Sequence, residues 1–235
     1  MSKHTITFAA VAGLVLALAP AAQAGLIDPT TLTATASNDH STSIYPPSSV
    51  VDGSGLYLGT YPDEIHHGGH HGGVGNSAGQ QWLSLEPIDE WFKVDLGAAY
   101  FLDTLRFWNG SFRGTNDTDS VKDAHIYYSS QAADPGSDFS QPAWSLFGAH
   151  TFVQNPSTAP PPPGVDADFA KTEEIALGGV AAQWVALDLH NNYGTADWMA
   201  IAEMQFDGEL IPEPATLALL GLGGLGMVLR RSRRR

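Results

Sequence analysis

The chain has 235 residues, enough for one domain with its own core plus short appendages. It has 25 glycines and 15 prolines but no cysteine, which excludes a disulfide framework, a thiolate metal site and a cysteine nucleophile. Between Gly25 and Ile211, five basic residues stand against twenty-four acidic ones. So acidic a surface repels phosphate backbones and excludes nucleic acid as a partner.

The first segment reads MSKHTITFAAVAGLVLALAPAAQAG. Lys3 supplies a positive start, Phe8 to Ala19 an apolar run, and Ala22-Gln23-Ala24 a small-x-small cleavage site. That order predicts a secretory signal peptide over 1–24, cleaved after Ala24.

From residue 25 to 210 the pattern predicts an all-β domain. Phe92, Val94 and Leu96 alternate with Trp91, Lys93 and Asp95. Leu105 with Phe107 repeats the period, as do Ala124, Ile126 and Tyr128. Val185, Leu187 and Leu189 alternate against Trp184, Ala186 and Asp188, and Ala202, Met204 and Phe206 against Ile201, Glu203 and Gln205. Period two, broken by Gly, Asn, Asp and Pro, predicts half-buried strands of an antiparallel sandwich. No stretch between 30 and 210 supports a long amphipathic helix. Pro160 to Pro163 reads as a stiff polyproline II loop.

Within this domain His66-His67-Gly68-Gly69-His70-His71 is the most conspicuous run. Imidazoles ligate Zn, Cu or Ni. Glycines make the run a pliant loop, however, whereas catalytic zinc takes ligands from fixed elements. The run is read first as a polar loop, with metal binding, and a metal-dependent hydrolase built on it, as the alternative. Tyr57, Tyr61, Trp108, Tyr193 and Trp198 lie near predicted turns. Such rings either stack on a sugar face or seal the ends of the core. Asp117, Asp119 and Asp123 lack the Gly and terminal Glu of an EF-hand loop and read as solvated. No G-x-S-x-G elbow occurs. Adjacent carboxylates such as Asp89-Glu90 and Glu173-Glu174 would point to opposite faces of a strand, so they do not converge for acid–base work. No catalytic residue is assigned.

The segments SSVVDGSGL, WFKVDLGAAYFLDTLRFWN, SVKDAHIYYSS, AAQWVALDL and IAEMQFDG occur in that order, with a Trp144 strand between the third and fourth. Their layout resembles the discoidin, or coagulation factor V/VIII C-type, domain. The resemblance implies a galactose-binding-like jelly-roll sandwich with ligand loops at one end. It also implies a structural Ca²⁺ beside an early Asp and a late Glu, here Asp52 and Glu203. The Gly- and His-rich stretch from Thr60 to Gln80 and the loop from Gln154 to Asp168 depart from the family pattern.

The chain ends in IPEPATLALLGLGGLGMVLRRSRRR. Ala215 to Leu229 is uncharged, but at about 1.5 Å per residue it rises only about 22 Å against a hydrocarbon core of about 30 Å. Four glycines weaken it as a helix, and the arginines that follow hold a terminus on the cytoplasmic side. A transient inner-membrane hold is expected. Pro212-Glu213-Pro214, a Gly/Leu-rich helix and an arginine cluster, in that order, resemble the PEP-CTERM sorting signal of Gram-negative bacteria that make exopolysaccharide. The resemblance implies exosortase as processing partner and the cell surface or extracellular matrix as destination. The sequence thus predicts an exported, non-enzymatic module that binds glycan or matrix polymer. The alternative is a structural matrix protein without a specific ligand.

Overall fold

The computed structural model describes residues 24–40, 44–58, 65–67, 80–110, 118–155 and 168–212. The strands are β1 (Gly25–Leu26), β2 (Thr33–Ala36), β3 (Leu56–Leu58), β4 (Ile65–His67), β5 (Trp82–Leu83), β6 (Glu90–Asn109), β7 (Val121–Ser129), β8 (Ser145–Thr151), β9 (Asp168–Ala170), β10 (Glu173–Asn192) and β11 (Ala200–Leu210). Among the described residues, helix is limited to short 3-10 turns at Pro29–Thr31 and Pro47–Val50. The main sheet runs β1-β11-β6-β10-β7-β8, with β2 added to β6 and β5 to β11. Among the described residues every strand pairing is antiparallel. A small sheet, β3-β4-β9, stands apart from it.

The two 20-residue strands turn one continuous sheet into two layers. The first half of β6 pairs with β2 and with the second half of β10, Trp184 to Leu189. The second half of β6 pairs with β11 and with the first half of β10, Glu173 to Ala182. Register shifts between Ala176 and Val180 and between Ala182 and Trp184 mark the corner. Gly178 and Gly179, at φ +67 and +77°, supply left-handed backbone there that a side chain would resist.

The alternation read from sequence sets what fills the space between the layers. Phe92, Val94 and Leu96 from one half of β6 join Leu102, Leu105 and Phe107 from the other. Ala124, Ile126, Val185, Leu187, Leu189, Met204 and Phe206 complete the same core. Trp82 meets Phe92 edge-on at 5.2 Å, and Phe107 packs on Phe152 at 4.2 Å. Each such buried side chain contributes about 1.5–3 kcal/mol. Without disulfides, this burial carries the fold.

β11 departs from simple alternation. A register shift between Ile201 and Glu203 puts Ile201 in the main core with Met204 and Phe206. Ala202 moves to the other side, against Trp108 and Leu56. Its outer face is therefore covered by the chain between Tyr45 and Leu58, and Glu203, which alternation alone would leave in solvent, is fully buried.

Candidate functional site

One end of the sandwich is knit together around the last residue of β6. Asn109 is fully buried; its Nδ2 donates to the carbonyls of Val121 (2.7 Å) and Val153 (2.9 Å), and its Oδ1 accepts from the Val121 N–H (2.9 Å). The Asn109 carbonyl accepts from Asn155 Nδ2 at 2.7 Å. Gly110 then passes so close to Ala200 that a Cβ on it would lie 2.6 Å from the Ala200 carbonyl carbon. This contact fixes where β11 begins, and with it the loop Tyr193–Met199 just before it. Asn192 shapes that loop: its Nδ2 donates to the carbonyls of Thr195 (3.2 Å) and Trp198 (2.8 Å), and its Oδ1 caps Gly194 N–H (2.8 Å).

On this framework sits a cluster of rings. Trp198, half-buried, packs on Tyr45, Leu83 and Ala200. His40 is exposed and stands edge-on to Trp198, with ring centroids 5.1 Å apart at 81°. It also meets Tyr45 at 6.3 Å and 69°. The backbone N–H of His40 donates to the Leu83 carbonyl at 2.9 Å, which anchors the residue to β5. Burial pushes the Tyr45 phenol above its ordinary value, so it remains a neutral hydroxyl. An indole face beside an imidazole offers an apolar surface and a hydrogen-bonding nitrogen side by side, the pairing that suits a sugar ring.

Of the aromatic residues singled out in the sequence, only Trp198 is placed in this cluster. Trp108 is a correction: it is 0% exposed inside β6, sealed by Ala202 and Leu56, and presents no ring to a ligand. Tyr193 is half-buried and engaged elsewhere, its hydroxyl donating to the Phe152 carbonyl at 2.5 Å and its ring lying 6.0 Å from Lys122 Nζ. Tyr57 is described only through the backbone of β3, and Tyr61 lies outside the described residues. His40 and Tyr45 were missed by sequence reasoning. Their only signal was an imidazole and a phenol in a polar, Pro-flanked stretch, which is weak evidence for a site.

The turn that follows Asp52 lies against Glu203, although the two are far apart in sequence. Gly53 N–H donates to Glu203 Oε1 at 3.1 Å, while Asp52 Oδ1 caps Ser54 N–H at 2.8 Å. Asp52 is exposed, and Glu203 lies at 0% exposure beneath the turn.

His66 and His67 fall in β4, a strand paired with β3 and β9, and not in a loop as the glycines suggested. His70, His71 and Ala22 lie outside the described residues, as do Glu213, Pro214 and the apolar tail. Ala24 and Pro212 are the first and last described residues. Among the described residues no helix is long and apolar enough to cross a membrane.

The fold and this end define an antiparallel β-sandwich with a ring cluster on its loops. Comparison with known proteins adds the following. Residues 210–235 match the PEP-CTERM protein-sorting motif, the mark of an exported protein. No curated protein matches the chain. Among solved structures, the chain is similar to the family 32 carbohydrate-binding module of Clostridium perfringens NanJ, solved with galactose. That match has 13% identity, covers 79% of this chain and 99% of the module, and gives a TM-score of 0.46. It is also similar to a C. perfringens module solved with GalNAc-β-1,3-galactose (10% identity, 77% and 99% covered, TM-score 0.47). A fucolectin from striped bass, Morone saxatilis, matches at 16% identity, with 81% and 51% covered and a TM-score of 0.45. The sandwich assignment itself rests on the strand register of this chain.

Proposed function

We propose that the protein is an exported, non-enzymatic module that holds a glycan, of the exopolysaccharide or matrix class, at the loop end of its sandwich. The observation that carries this reading is the His40–Tyr45–Trp198 cluster, an exposed imidazole against a half-buried indole on a rigid frame. The tail supports the delivery half of the proposal. Exosortase would recognise Pro212-Glu213-Pro214 and remove the segment that follows, and the signal peptide would be lost after Ala24. The pair Asp52 and Glu203 would hold a structural Ca²⁺ that pins the 52–54 turn to β11; its part is to rigidify the covering segment, not to meet the ligand.

Binding to exopolysaccharide from the native host, by affinity electrophoresis or a glycan array, tests the site. Trp198→Ala should weaken binding at least about five-fold, since truncating an aromatic anchor of a binding site costs upward of about 1 kcal/mol. Retardation by no polysaccharide, or retardation unchanged in Trp198→Ala and His40→Ala, would refute the module reading in favour of a structural matrix protein. Intact mass of the protein recovered from its host tests the processing: both ends should be missing.

A further inference from the structure

We infer that the outer face of the sheet carries a transition-metal site, built by His125, Asp188 and His190 and suited to a zinc-class divalent cation. His125 on β7 lies directly opposite Asp188 on β10, and His190 is two residues further along β10. Their neighbours Ala124, Ile126, Leu187 and Leu189 are all buried in the core. Alternation therefore turns the three ligand-bearing side chains to the outer face. They remain open to solvent, with side-chain exposures of 39% for His125, 32% for Asp188 and 36% for His190.

The ligand atoms converge. His190 Nε2 lies 2.9 Å from His125 Nδ1, and each of these nitrogens is 4.0 Å from Asp188 Oδ2. The two rings are nearly perpendicular, at 81°, with centroids 4.5 Å apart. Donors held about 2.0–2.1 Å from a tetrahedral zinc lie roughly 3.4 Å from one another. The nitrogens here are slightly closer than that and the oxygen slightly farther, so side-chain shifts of about half an ångström complete the triangle.

The donor chemistry selects the ion. Two imidazoles with one carboxylate favour Zn²⁺, Cu²⁺ or Ni²⁺ over Ca²⁺, which wants six to eight oxygens. The strands are the right carriers, because their register is fixed by pairing and little order is lost on binding. The neighbouring residues on this face suit a cation as well. Asp123, two residues before His125, is held by the Thr151 hydroxyl at 2.7 Å and adds negative charge. Tyr127, two residues after, is stacked on Phe139 at 5.0 Å and walls the site. Three protein ligands leave one tetrahedral position facing outward, for water or for a donor on a neighbouring polymer or protein. The site shares no residue with the Asp52–Glu203 pair or with the histidine run at 66–71.

Zn²⁺ titration by calorimetry, on protein in which His66, His67, His70 and His71 are all replaced by Ala, isolates this site. One equivalent should bind, and adding His125→Ala or His190→Ala should weaken binding at least about ten-fold. Asp188→Asn should weaken it less. Both histidines are half-exposed, so unfolding midpoints in chelator should match the parent. Co²⁺ gives a second readout: a visible ligand-field band in the parent that His125→Ala abolishes. Absence of Zn²⁺ binding in the four-Ala parent, or binding undiminished by loss of His125 and His190, overturns the assignment.

Discussion

Replacing Asn109 by Leu tests how the binding end is held. Leu keeps the branching of Asn at Cγ but is larger, so the change removes polar contacts without opening a cavity, and any overpacking adds to the loss. Three hydrogen bonds are lost, two donated to the carbonyls of Val121 and Val153 and one accepted from the Val121 N–H. At a net value of about 1 kcal/mol each, that is roughly 3 kcal/mol. The Val121 N–H and carbonyl left behind are buried, and the cost of leaving them without these bonds raises the estimate to about 3–5 kcal/mol. In a domain of this size about 1 kcal/mol moves the melting temperature by about 2–4 °C, so a drop of about 6–20 °C is expected. Urea unfolding should show a lower midpoint with an unchanged slope. Because Gly110 N–H donates to the Ala200 carbonyl and Ala200 N–H to that of Asp119, the start of β11 and Trp198 should loosen too, and glycan affinity should fall. A loss below about 1 kcal/mol would refute this account of the network.

Two further outcomes follow from the charged groups. Hydrogen bonds from Thr151 and Asn191 hold Asp123 below its ordinary value, Lys93 does the same for Asp134, and Lys171 and Arg106 for Glu174. A carboxylate lowered on folding adds stability that is present above its unfolded value and lost as pH falls through the folded one. The melting temperature should therefore decline as pH falls below the ordinary values of 4.5 for Glu and 3.8 for Asp, and Asp134→Asn should flatten that acid limb; a melting temperature that rises on acidification contradicts the sign. Ca²⁺ at about a hundred times its dissociation constant should add about 2.7 kcal/mol, a rise of about 5–10 °C, and Asp52→Ala should cancel it. No rise in the parent protein removes the calcium proposal.

Much of the fold was legible because alternation is local. Phe92, Val94 and Leu96, or Val185, Leu187 and Leu189, announce their shared face within six residues, and the structure buries them together. Where β11 bulges, the pattern misled: Met204 and Phe206 keep the expected face, but Ile201 and Ala202 exchange faces, because a single extra residue reverses the side chains before it relative to those after it. The site was less legible. Trp108 lies near a turn in sequence, but it is buried by Leu56, about fifty residues earlier in the chain. His40 and Tyr45 become a cluster only when β5 and the start of β11 bring Trp198 to them.

The sequence by itself determined the strand periods, the absence of disulfides and the C-terminal sorting motif, since each is written in its residues and read by their local chemistry. The tertiary structure alone decided which side chains meet. Tertiary packing joins residues without regard to their separation along the chain, and it does so here for Glu203 and Gly53, for Trp198 and His40, and for His125 and His190. Composition and spacing carry no record of such register, because it is set by burying one face of each strand against a layer built from distant segments.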